Sequence, residues 1–277
     1  MPYQDNELDP RQRFETILKE SYVDPTKEVS YPPVAISMGS SGPSGAFPIC
    51  LGTYGNFSFV QAPPKSRKTF LVSLMASAYL SGENEYSFGM KGHSDGRKVI
   101  HYDTEQGDFH AQRVFKRVHK MSGGPSNYLP YCLREYSYRE RLDFIDWHLY
   151  QVEELGLVII DGIADLVADA NDINQSNELV QYLMRWTKEL KIHIITVIHS
   201  NYNSTKPTGH LGSFLEKKTE TQVSVSIDED DDVNSIVKCV RSRSQPFEQF
   251  SFKIINGYPH INKPLEANIG GEQYIDI

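Results

Sequence analysis

Four short segments of the chain end apolar runs with residues that could do chemistry on a phosphate. The first is Ala62, Pro63, Pro64, Lys65, Ser66, Arg67, Lys68, Thr69 and Phe70, which separates an apolar run from a stretch of helical character. Backbone N–H groups at the start of a helix attract an anion. In such a loop Lys68 would reach the β- and γ-phosphates of a nucleotide, and Thr69 would offer its hydroxyl to Mg2+. The usual pattern, GxxxxGK[ST], has glycine at two places where this chain has Ala62 and Arg67. Ala62 is a small departure and Arg67 a large one. If position 67 needs a positive φ, a non-glycine there costs about 1–2 kcal/mol. If its dihedrals are helical, the side chain points outward, toward a phosphate or a neighbouring subunit. Taken alone, the segment reads equally as an ordinary basic turn before a helix.

The other three segments carry acids and a histidine. Val99 to Asp108 ends its run with Asp103 and Glu105. A carboxylate near a γ-phosphate orients and polarises an attacking water, and Glu105 is the candidate for that role. Leu157 to Leu166 has Asp161 directly after four apolar residues. An acid at the carboxyl end of a buried parallel strand lies beside the ligand crevice, where Asp161 would hold Mg2+. Asp165 and Asp169 are weaker candidates. Thr196 to Asn201 ends with His199, placed to sense a γ-phosphate and relay its state to the loop Tyr202 to His210. Each has a plain structural alternative: a solvated loop acid for Glu105, a helix N-cap for Asp161, a surface histidine for His199.

These residues need strands to carry them. Phe57 to Gln61, Lys98 to Asp103, Leu157 to Asp161 and Ile192 to Ile198 read as buried strands. Lys68 to Leu80, Asp108 to Met121, Tyr138 to Leu155 and Gln175 to Leu190 read as helices between them. Strands alternating with helices predict an α/β fold with a central, mainly parallel sheet covered by helices. Gln222 to Ile227, Ser235 to Val240, Phe250 to Ile255 and Tyr258 to Asn262 lack intervening helices and predict antiparallel strands appended to that sheet. The Gly/Ser/Pro-rich stretch Met38 to Pro48 reads as loop or linker. The expected organisation is an appendage over 1–48, containing a short helix near Arg11 to Glu20, a domain over 49–262 and a polar tail over 263–277.

The chain has 277 residues, 39% of them hydrophobic, enough for one sizeable domain. No apolar run is long enough for a membrane span, and the start lacks the pattern of a signal peptide. Cys50, Cys132 and Cys239 are far apart and suggest neither a disulfide framework nor a zinc site, so a cytoplasmic setting is expected. A net charge of −8 argues against a broad DNA-coating surface.

The order of phosphate loop, strand–Glu, strand–Asp and strand–His resembles the RecA-like P-loop ATPases, most closely the RepA-like and DnaB-like hexameric helicase branch, over Leu51 to Ile255. The chain is also similar, more loosely, to ATPases of bacterial mobile elements with a KSRKT loop. The resemblance implies ATP and Mg2+ as cofactors, Glu105 as the catalytic glutamate, His199 as sensor and a homo-oligomer, a hexameric ring in that branch. It also implies that Arg241 and Arg243 in KCVRSRSQP reach the neighbour's ATP, a role suited to planar guanidinium groups. Their plain alternative is exposed hairpin arginines. Single-stranded DNA is a candidate partner, with Lys206, Lys217 and Lys218 of the loop Asn201 to Lys218 as its contact, and Tyr31 to Pro33 could pack on adenine. Three functions compete: a motor on single-stranded DNA serving replication or mobilisation of a mobile element, a regulatory or assembly ATPase without unwinding, and a nucleotide-binding scaffold with little turnover.

Overall fold

The structure is a computed structural model, and it describes residues 9–200 and 206–262. The chain falls into two compact units, Met1–Pro32 and Pro33–Ile277. The first contains helix α1, Pro10–Ser21, capped by the Asp9 carboxylate, which accepts from Arg11 N–H. Proline at the first helical position suits a start, because its missing N–H would have no partner there.

The second unit opens with β1 (Val34–Ser41) and β2 (Phe47–Thr53), an antiparallel pair joined through a short 3-10 turn at Pro43–Gly45. Then come β3 (Phe57–Ala62), α2 (Lys68–Ser81), β4 (Met90–Gly92), β5 (Lys98–Asp103), α3 (Asp108–Met121), β6 (Tyr128–Cys132) and α4 (Tyr138–Leu149). Next are β7 (Leu155–Asp161), a 3-10 turn at Ile163–Leu166, α5 (Ile173–Leu190), β8 (His193–His199) and α6 (Gly209–Lys218). The last elements are β9 (Thr221–Ile227), β10 (Asn234–Ser242), β11 (Phe250–Ile255) and β12 (Tyr258–Ile261).

Two sheets result. A three-stranded sheet has the order β2-β1-β4, and a nine-stranded sheet has the order β12-β11-β10-β9-β3-β8-β7-β5-β6. From β9 to β6 every pair is parallel, and β10, β11 and β12 extend the sheet antiparallel. The parallel strands are continuous apolar runs because both faces are covered. Alternate residues serve opposite sides: Leu157 and Ile159 join a core with α2 and α3, while Val158 and Ile160 join a core with α4, α5 and α6. Helix α2 is buried nearly all round, including Leu71, Val72, Leu74, Met75 and Tyr79, because the small sheet covers the side that the large sheet does not.

Several sequence expectations are corrected. Met38 to Pro48 is not a linker; it runs through β1, a turn and the start of β2. Its glycines at 39, 42 and 45 all have positive φ, so the composition reflects an irregular hairpin, not a flexible tether. Helix α4 ends at Leu149 instead of reaching Leu155, and a turn in which Glu154 takes a left-handed conformation, φ 55°, leads the chain into β7. Strand β6 was not expected; Pro130 disguises it and is tolerated because β6 lies at the sheet edge. The segment expected as a loop up to Lys218 contains α6, whose Gly209 and Gly212 lower its helical propensity.

Candidate functional site

The parallel strands bring the four segments to one edge of the sheet. Ala62 at the end of β3 is paired with His199 at the end of β8, Val197 of β8 with Asp161 of β7, and Asp161 with Asp103 of β5. The loop after β3 leads into α2, whose first turn has no side-chain cap. Its leading N–H groups are therefore available to an anion.

Lys68 leaves the first turn of α2 and is nearly buried, with its ammonium 3.7 Å from Glu105 Oε2. Glu105 Oε1 accepts from His199 Nε2 at 3.0 Å. That bond requires a proton on Nε2, so the 3.4 Å approach of Lys68 to the same nitrogen is not a hydrogen bond, and the ammonium's partner is Glu105. The bond from His199 holds the Glu105 carboxyl below the usual carboxylate range, and the Lys68 charge adds to this against the opposing effect of burial. Glu105 is thus ionised at neutral pH, the state a general base needs.

Asp161 is buried, and neither carboxylate oxygen has a hydrogen-bond partner among the described residues. Burial first, and the Glu105 charge second, raise its pKa to about 7. An orphaned buried carboxylate opposite the helix that carries Thr69 fits a hard divalent cation. No group of three or more His, Cys, Asp or Glu side chains among the described residues forms a metal cage. Mg2+ needs none, since one or two carboxylates and the phosphates complete its shell.

Thr104 and Arg141, which the sequence did not single out, hold the acidic loops together. The Thr104 hydroxyl lies 2.9 Å from both Gly162 O and Asp165 Oδ2 and accepts from Gly162 N–H, while Thr104 N–H donates to Asp161 O. Arg141 donates to Leu133 O, Arg134 O and Asp165 O. Asp103 accepts from the N–H groups of Glu105 and Gln106, which orients the loop bearing Glu105. A threonine that bridges two acidic loops has no pattern of its own in sequence.

The phosphate loop resolves the two readings of Arg67. Its φ is 68° and ψ 21°, the left-handed region, and Lys65 is also there with φ 65°. Two such non-glycine residues cost on the order of 1–3 kcal/mol each. The Arg67 side chain points neither at the phosphate position nor away from the molecule. It donates to Asp232 O at 2.6 Å and Val233 O at 2.8 Å in the β9–β10 connection, and to Ser235 Oγ at 3.2 Å at the start of β10. Pro63 O accepts from Ser66 N–H and Oγ, which closes the loop on itself. Pro64 and Lys65 are exposed at the loop's tip. Phe70 lies under the Arg117 guanidinium, 3.8 Å from the ring centroid.

The match of this chain to known families decides its class. Residues 51–205, more than half of the chain, match the model of an AAA domain family. The chain belongs to that AAA domain family. The AAA domain spans the phosphate loop, Glu105, Asp161 and His199, so all four lie within the matched segment. The crystal structure of the RadB recombinase has a similar fold, with a TM-score of 0.53 and 17% identity, covering 76% of this chain and 92% of that one. The sequence matches none of the curated proteins. The family is thus that of the AAA domain, and the fold is the one seen in the RadB recombinase.

Arg241 and Arg243 lie away from this edge, whereas Lys206 is beside it, next to Pro207, which bridges Ser200. Arg241 and Arg243 sit at the end of β10, where Arg241 pairs with Gln222 and Ser242 with Thr221. Thr221 is level with Ser58 near the start of β3, so both arginines are at the sheet edge opposite their own phosphate loop. Arg243 donates to Lys218 O and Thr219 O, the carbonyls at the end of α6. Lys206 precedes α6 and the pair Lys217–Lys218 ends it, so a helix interrupts the segment expected to be one basic loop. Asn201 and Tyr202 of that loop, and the expected tail, lie outside the described residues. Tyr31 belongs to the first unit.

Proposed function

We propose that the chain is a Mg2+-dependent ATP hydrolase acting as a DNA-associated motor of the RepA-like kind, assembled from copies of itself. The observation that carries the hydrolase reading is the convergence of Lys68, Glu105 and His199 beside the orphaned Asp161. Backbone N–H groups of Lys65, Arg67, Lys68 and Thr69 cradle the phosphates. Lys68 exchanges its 3.7 Å pairing with Glu105 for the γ-phosphate, which frees the Glu105 carboxylate to orient a water. His199 stays on Glu105 and reads whether that exchange has occurred. Thr69 and Asp161 hold Mg2+, which neutralises charge on the phosphates when bound. Arg241 and Arg243 face away from their own site, which suits a role at the neighbour's nucleotide in a ring.

The motor reading, in replication or mobilisation of a mobile element, rests on the RecA-like family and the order of the site segments. The test is the ATPase rate with and without single-stranded DNA, alongside mass measurement with and without nucleotide. Lys68→Ala and Glu105→Gln should each lower turnover by on the order of a hundredfold or more. Lys68→Ala hydrolysing at the parent rate would remove the site assignment. A second reading, an assembly or regulatory ATPase without unwinding, is favoured by the net charge of −8 and by the separation of Lys206 from Lys217 and Lys218. It is supported instead if nucleotide drives oligomerisation and no nucleic acid changes the rate.

A further inference from the structure

Position 67 carries an arginine where a phosphate loop ordinarily has the residue that tolerates a positive φ most easily. A strained residue persists only where its surroundings over-determine it. Here the surroundings are a single turn. The β9–β10 connection is folded on itself: Asp228 Oδ1 accepts from Asp230 N–H, Asp231 Oδ1 from Val233 N–H, and Asp231 Oδ2 from Asn234 Nδ2. These bonds aim the Asp232 and Val233 carbonyls at the Arg67 guanidinium, and the buried Ser235 adds its hydroxyl. Although residues 228–232 are all acidic, Arg67 forms no ion pair among the described residues; it bonds to carbonyls. Carbonyl acceptors fix direction as well as distance, and a planar fork with fixed donors exploits that where an ammonium does not.

We infer that Arg67 is a positioning residue for nucleotide: it ties the phosphate loop to the β9–β10 turn and so holds the loop in its anion-binding shape. The tether substitutes for the missing glycine. Glycine admits the left-handed conformation without strain but leaves it one state among many, whereas the tether selects it before nucleotide arrives. It also makes the start of β10 move with the phosphate loop. This rests on the reading of Ala62 to Thr69 as the nucleotide site, and the experiment separates the two.

The full-length chain is titrated with a fluorescent ADP and Mg2+, and hydrogen exchange of residues 228–235 is followed with and without ADP. Arg67→Gly, which removes all three bonds, should weaken ADP binding about tenfold, the worth of one charge-assisted hydrogen bond. Its KM for ATP should rise more than its kcat falls. Arg67→Lys should recover part of the affinity, and Ser235→Ala should weaken binding in the same direction by less. Nucleotide should slow exchange in the turn of the parent and not in Arg67→Gly, even at saturation. Arg67→Gly binding ADP as tightly as the parent, or more tightly, overturns the proposal, as does a turn whose exchange ignores nucleotide in the parent. If Lys68→Ala also binds as the parent does, or the parent binds no ADP, the site reading fails and this inference with it.

Discussion

Asp161 shows the cost of burying a carboxylate without a partner. Its carboxylate is buried with both oxygens unpartnered, and burial with the nearby Glu105 charge raises its pKa to about 7. The folded-state pKa therefore lies above the unfolded value of about 4. For an acid shifted this way the penalty is absent below the unfolded pKa, grows between about pH 4 and 7, and is full above. Asp161→Asn removes the charge. In the nucleotide-free protein at pH 8 it should raise Tm by roughly 2 °C or more, with the gain shrinking toward pH 4, while hydrolysis is lost. Melting curves of the two proteins with the same offset at both pH values would show that the buried charge is not the destabilising element.

Helix α2 carries Lys68 and Thr69, and its placement depends on a close approach by the small sheet. Strand β4 lies so near the helix backbone that a Cβ at Gly92 would stand 2.2 Å from Ala78 O and from Tyr79 Cα. Neither neighbour is a flexible side-chain end, so the strand must lift away. The Tyr79 hydroxyl also lies 2.6 Å from that of Tyr54, whose O–H donates to His93 O just beyond β4. Gly92→Ala should destabilise the protein by about 1–3 kcal/mol, seen as a lower urea midpoint with an unchanged slope. A midpoint equal to that of the parent would mean that the small sheet does not clamp α2.

Arg243 tests the proposed assembly at the scale of the whole molecule. Within one chain it caps α6 through Lys218 O and Thr219 O, at the edge opposite the phosphate loop. A head-to-tail ring places the edge of one copy against the nucleotide of the next, and such heterologous contacts close into rings. If Arg243 works across that contact, Arg243→Ala and Lys68→Ala are each inactive alone. Mixed, they should recover a measurable fraction of the ATPase rate, because some sites then combine an intact Lys68 with a neighbour's Arg243. If Arg243 is only a helix cap, Arg243→Ala keeps its turnover, Tm falls, and mixing with Lys68→Ala yields no more than the dilution of active copies.

Much of the fold was legible because parallel strands covered on both faces leave long apolar runs. The polar residues that end those runs, Lys68, Glu105, Asp161 and His199, stood out for the same reason, and all four meet at one edge. Composition misled where a local rule served another purpose. Glycines read as linker in β1–β2 and as loop in α6, and Pro130 hid an edge strand. The chain's own order of residues was enough to declare a phosphate loop with an arginine in place of glycine. It held no signal for where that arginine goes, because its acceptors at Asp232, Val233 and Ser235 are more than 160 positions away. Hydrogen bonds across such a span leave no periodicity in the sequence; they arise when β9 settles beside β3 and its turn arrives next to the phosphate loop.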